Sequence, residues 1–99
     1  MQKYRVIVHG RNLWTNVDGV RQRFGFYTNV FVEAFTPADG ESRAIELIRE
    51  DVHLREMMTN AEDDPWSLTA HEVQAVQSFD GAQLPRTGLT LYAEKPEEP

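Results

Sequence analysis

The stretch that most constrains the fold is Gly25-Phe-Tyr-Thr-Asn-Val-Phe-Val-Glu-Ala-Phe-Thr36, followed at once by Pro37-Ala-Asp-Gly40. Alternation along it defines two faces, with Phe26, Thr28, Val30, Val32 and Ala34 on one and Tyr27, Asn29, Phe31, Glu33 and Phe35 on the other. The first face is smooth and β-branched, suited to lying under a helix. The second is aromatic but interrupted by Asn29 and Glu33. A strand apolar on both sides needs cover on both sides. Only one long helix is available to supply it.

That helix follows directly. Thr36 is placed as N-cap, Pro37 at the first helical position, and Asp39 and Glu41 in the first turn near the positive end of the helix dipole. Ala44, Ile45, Ile48 and Val52 recur at helical spacing with Leu47 broadening the stripe, while Arg43, Glu46, Arg49 and Glu50 face water. Asp51 starts a second turn through Met58 that packs Leu54, Met57 and Met58, and Asn60 closes it. The spacing is compatible with one bent helix or two.

Upstream, Tyr4 to Leu13 reads as a strand, with Tyr4, Val6 and Val8 on one face and Arg5, Ile7, His9, Arg11 and Leu13 on the other. Asn16-Val-Asp-Gly19 supplies turn chemistry, since Asp18-Gly19 tolerates positive φ, and Gly25 marks a bulge. Downstream, Ala61-Glu-Asp-Asp-Pro-Trp66 is an acidic loop, and Ser67 to Phe79 is a third strand whose phase slips near His71-Glu72, where a bulge reconciles it. Asp80-Gly81 turns the chain into a short last strand, Leu89 to Ala93. The expectation is a single α+β domain over residues 1–94 in ββαββ order, with a three- to four-stranded, largely antiparallel sheet. One main helix, about residues 37–50, packs on one face, and Val6, Val8, Val30, Val32, Ile45, Ile48 and Leu89 form the core. Whether strands two and three run parallel or antiparallel is not decided at this level. Residues 95–99 form a frayed acidic tail.

Ninety-nine residues leave room for one core. The absence of cysteine excludes disulfides and thiolate chemistry and suits a reducing compartment, and no stretch approaches the ~18 apolar residues that span a bilayer. A cytoplasmic protein is the default. The net charge of −6 argues against a general nucleic-acid binder, but residues 1–30 carry +4 and the remainder −10. Arg5, Arg11, Arg21 and Arg23 are therefore a weak candidate anion patch, set against a hairpin edge that charge protects from pairing.

Other motifs weaken on inspection. Leu84-Pro-Arg-Thr-Gly88 matches a sortase sorting signal letter for letter, yet only eleven residues follow, with no apolar anchor or basic tail; Pro85 and Gly88 shape the entry to the last strand. Glu62, Asp63 and Asp64 lack the alternating ligands and turn glycine of a calcium loop. His9, His53 and His71 have no helical zinc spacing, although His9 and His71 are able to meet across a sheet, with Glu33 or Glu72 orienting them. There is no nucleophile elbow and no phosphate-cradling glycine loop. No catalytic residue, cofactor or metal is expected. Trp14 and Trp66 sit beside turns as interface anchors or core edges.

Gly25-Phe-Tyr-Thr28, Phe31-Val-Glu-Ala34, Leu47-Ile-Arg-Glu-Asp51 with Leu54-Arg55, Phe79-Asp-Gly81 and Leu84-Pro-Arg-Thr-Gly88 together resemble a group of short bacterial proteins of uncharacterised function. The resemblance implies a compact bacterial cytoplasmic domain and brings no activity with it. The primary expectation is a non-enzymatic interaction module, meeting another copy or an unidentified protein partner through the face of Tyr27, Phe31 and Phe35. The alternative is a small-ligand binder or enzyme, built like a dimeric α+β barrel, that uses His9, Glu33 and Tyr27 in one cleft.

Overall fold

The computed structural model describes residues 1–95; the expected frayed tail lies, apart from Lys95, outside the described residues. Asp18 and Gly19 both take positive φ, 52° and 79°. They form the two-residue turn whose twist matches a right-handed ribbon. The turn joins β1 (Gln2–Val17) to β2 (Val20–Ala34), an antiparallel pair that carries the molecule's 44 Å long axis. Both strands run further than the expected first strand, which stopped at Leu13.

The hairpin is not in phase along its length. Gly10 pairs with Phe26 and Leu13 with Phe24, so Arg11 and Asn12 together stand opposite Gly25, and Asn12 takes φ 59°. The bulge expected at Gly25 is thus carried by the opposite strand. Its consequence corrects the sequence reading: the extra residue turns Leu13 from the outer face into the core, where it is fully buried.

Thr36 caps α1 (Pro37–Arg49) by accepting a hydrogen bond from the Asp39 N–H at 3.1 Å. Asp51 then caps a separate helix, α2 (Val52–Met57), by accepting from the Leu54 N–H at 3.1 Å. There are two helices, not one bent one. The buried stripe is Gly40, Ala44 and Ile48, joined by Leu54. Val52, expected in that stripe, is 62% exposed because the break at Asp51 ends the helical phase before it.

β3 (Ser67–Val76) pairs antiparallel with β1, and β4 (Thr90–Ala93) pairs antiparallel with β2. The result is a four-stranded antiparallel sheet in the order β3-β1-β2-β4, with element order ββααββ. β2 and β3 therefore run in the same direction with β1 between them. The residue-71 bulge is present: Ile7 faces Glu72, Val8 faces Ala70, and His71 is the extra residue. The β2 edge beyond β4 is closed by the loop before it, through Phe31 N–H to Pro85 O and Thr87 N–H to Asn29 O, both 2.9 Å. This is the structural place of the Leu84–Gly88 motif.

Both helices lie on one face. Tyr4, Val6, Val8, Leu13, Phe26, Val30, Val32, Ala34, Ala44, Ile48, Leu54 and Leu68 are buried there, with Ile45, Leu89 and Trp66 packed at the margin. Among the described residues no helix is long and apolar enough to cross a membrane.

Candidate functional site on the open sheet face

Among the described residues no helix covers the other face of the sheet. Cross-strand pairing sets Arg5 beside Phe31, Ile7 beside Asn29 and His9 beside Tyr27 on the central strands. The bulge at His71 then turns the ring of that residue onto the same face, beside Tyr27 at 5.6 Å and His9 at 6.4 Å between centroids. His9 lies flat on Tyr27, with centroids 4.3 Å apart and planes 6° from parallel. From β4, Tyr92 crosses over Gly25, its pairing partner, and its hydroxyl meets His9 Nε2. A Cβ on Gly25 would overlap the Tyr92 ring, so glycine at this position is what admits the ring.

The four rings form one cluster, and its electrostatics follow from its setting. Burial lowers the pKa of His9 first, then the charges of Arg11 and His71, with Glu94 opposing. Burial raises Tyr92, helped by Glu94 and Tyr27 and opposed by Arg11. Both shifts favour an uncharged imidazole hydrogen-bonded to an uncharged phenol. Beside the cluster lies a cleft of about 310 Å³ lined by Ile7, Tyr27, Asn29, His71, Thr87 and Thr90, with Thr28 at its floor.

The sequence-derived candidates separate when placed on this surface. Tyr27 and Phe31 are half-buried on the open face, and Phe31 meets Phe79 edge-on at 5.8 Å. Phe35 is not on that face: β2 ends at Ala34, alternation stops, and the ring is 76% exposed in the turn into α1. His9 and Tyr27 come together, but Glu33 stands six residues from Tyr27 along β2, about 20 Å away, and faces Lys3 at 3.9 Å. His9, Tyr27 and Glu33 therefore do not share one cleft.

Of the four arginines, Arg21 and Arg23 share the Trp14 ring, and Arg5 and Arg11 have separate surroundings. Arg5 donates to Gln74 at 2.7 Å and lies 3.7 Å from Glu72, while its Nε is buried without a partner. Arg21 lies 4.3 Å above the Trp14 ring and donates to Thr59 O. Arg23 lies 5.8 Å from the same ring and donates to Lys95 O. Arg11 alone borders the His9–Tyr92 pair. Asp64 accepts from both Asn12 Nδ2 and Trp14 Nε1, and no three metal-ligating side chains converge among the described residues. His53 is exposed on α2, whereas His9 and His71 meet on the open sheet face.

Sequence reasoning missed Tyr92, Thr87 and Thr90. The one local signal for Tyr92 was Gly25, a strand glycine that marks close approach of another group. Family models, characterised proteins and solved structures were all compared with this chain, and none of them matches it.

Proposed function

We propose that this protein is a small interaction module that self-associates by packing the open sheet face of one copy on that of another. The carrying observation is that both helices lie on one face, while Ile7, Tyr27 and Phe31, the last met edge-on by Phe79, lie on the other, which no helix among the described residues covers. Charge favours a second copy over a partner of one sign. Lys3 and Arg5 pair with Glu33 and Glu72 on this face, so these charges are balanced within one copy and set up no like-charge repulsion against a second. The edges are less suited to pairing. The β2 edge is occupied, and the free β3 edge is broken by the His71 bulge and by Glu72. Three strands of about eight residues and the four-residue β4, about 4.8 Å apart, offer roughly 450 Å² per copy, or about 900 Å² across the pair, the size of a weak, transient interface.

The cysteine-free composition supports a cytoplasmic setting, and the resemblance to short bacterial proteins belongs to the same proposal without adding an activity. Sedimentation at micromolar concentration tests it. The expected species is about twice 11.4 kDa, and Phe31→Asp, at a half-buried position on the open face, is expected to shift it to monomer while leaving the far-UV spectrum intact. A wild-type monomer across that concentration range rules self-association out.

A further inference from the structure

We infer that the cleft beside Tyr27 binds a neutral, planar heteroaromatic ring with a hydrogen-bonding edge, of the size of a nucleobase or nucleoside. The cleft occupies about 310 Å³, at the lower end of the range typical of small-molecule sites. Its lining contains no lysine, arginine, aspartate or glutamate. A phosphate would find no cation there and a metal no carboxylate, so the ligand is uncharged. The walls combine apolar and aromatic surface from Ile7, Tyr27 and His71 with the amide of Asn29 and the hydroxyls of Thr87 and Thr90.

The supply of polar groups points to the ring's edge. Among the described residues the side-chain hydrogen bond within the aromatic cluster is that of His9 to Tyr92, and the Tyr27 hydroxyl and the His71 imidazole make none. Asn29 donates its backbone N–H to Thr87 Oγ1 at 3.1 Å, and its amide remains to offer a donor and an acceptor side by side. That pairing matches the adjacent acceptor and donor on the edge of a nucleobase-like heterocycle. The stack of His9 on one side of Tyr27 holds the tyrosine ring in place, so the wall is formed before a ligand arrives. A polymer is disfavoured: the chain carries −6, and single-stranded nucleic acid calls for a basic groove along its backbone.

The inference does not rest on self-association, because Phe31 is not part of the cleft. The experiment is a ¹H–¹⁵N titration of the full chain with adenosine, guanosine, cytidine and uridine, each in a separate series, and with toluene and a short oligothymidylate as contrasts. The expected result is saturable shifts at Ile7, Tyr27, Asn29, His71 and Thr87 with at least one nucleoside, at a dissociation constant of about 0.1–1 mM. Asn29→Ala and Tyr27→Phe are expected to weaken that constant about tenfold each while the remaining spectrum stays folded. In Phe31→Asp the same nucleoside binds equally well, or more tightly if a second copy competes for the face. Failure of all four nucleosides to saturate, shifts outside the cleft, or toluene binding as tightly as the best nucleoside overturns the inference. Binding of the oligothymidylate alone, with steep salt dependence, overturns it in favour of a polyanion groove.

Discussion

Gly25 illustrates how one residue decides the arrangement of several others. It sits in the middle of a long strand, where glycine weakens β structure, and the Tyr92 ring lies across it where a Cβ would overlap. Gly25→Ala is expected to displace that ring and to cost about 1–3 kcal/mol in urea unfolding. In the same variant His9, relieved of the phenol that covers it, should titrate closer to the ordinary value, as followed by imidazole proton shifts. His9 itself makes stability depend on pH. Its pKa in the folded chain lies below 6.5, through burial and then through Arg11 and His71. As pH falls below that value the unfolded chain takes up a proton that the folded chain refuses. Its contribution is therefore full above about 6.5, declines as pH falls towards the lowered value, and levels off below it. The expected outcome is a urea midpoint that drops as pH falls through about 6.5, with a shallower drop in His9→Gln.

At the scale of elements, the break between α1 and α2 is fastened from a distance. The Asp51 carboxylate caps α2 with one oxygen and accepts from Arg86 Nε at 2.8 Å with the other, and both side chains are less than one-fifth exposed. Burial pushes the Asp51 carboxyl up, but the Arg86 hydrogen bond, the Leu54 N–H and the Arg86 charge outweigh it, and the net shift is downward. Its stabilisation is present above the ordinary carboxylate range and is lost as pH falls through the lowered value. Arg86→Met and Asp51→Asn are each expected to destabilise by about 1–3 kcal/mol. They should be non-additive in a double-mutant cycle, because each removes the same contact. Additive losses would show that the pair contributes little beyond the cap. The hairpin is braced in a similar way. Asn60 accepts from the Trp14 N–H and donates to Asn12 O, and so ties the loop after α2 to the bulge in β1.

For the molecule as a whole, the decisive fact is the placement of cover. The chain has enough helix for one sheet face and uses it there, so Phe26, Val30, Leu13 and Ile48 are sealed while the opposite face keeps half-buried rings. Self-association and ring binding both follow from that asymmetry and share Ile7 and Tyr27, whereas Phe31 and Phe79 belong to association alone. Phe31 and Phe79 mark one end, and the four-ring cluster with its cleft marks the other, four residues or about 13 Å further along β2. Phe31→Asp separates the two, because Phe31 lies outside the cleft, so sedimentation and the nucleoside titration can each fail alone.

Local chemistry was legible in the sequence wherever a short segment suffices. Asp18-Gly19 needed only positive φ, Thr36-Pro37 and Asp51 only a cap, and the first face of β2 only alternation; each formed as read. The slip near His71 was legible too, because two incompatible phases lay in one strand. What the tertiary structure alone decided were contacts between residues far apart in the chain and the phase of a strand whose bulge lies on its partner. His9 and Tyr92 are 83 residues apart, and Asp51 and Arg86 are 35 apart, so no local pattern encodes either pair. Leu13 changed faces because Arg11 and Asn12 stand opposite a single residue, and Phe35 left the aromatic face because its strand ended one residue earlier. Periodicity assigns a side chain to a face only while register holds, and register is a property of two strands together.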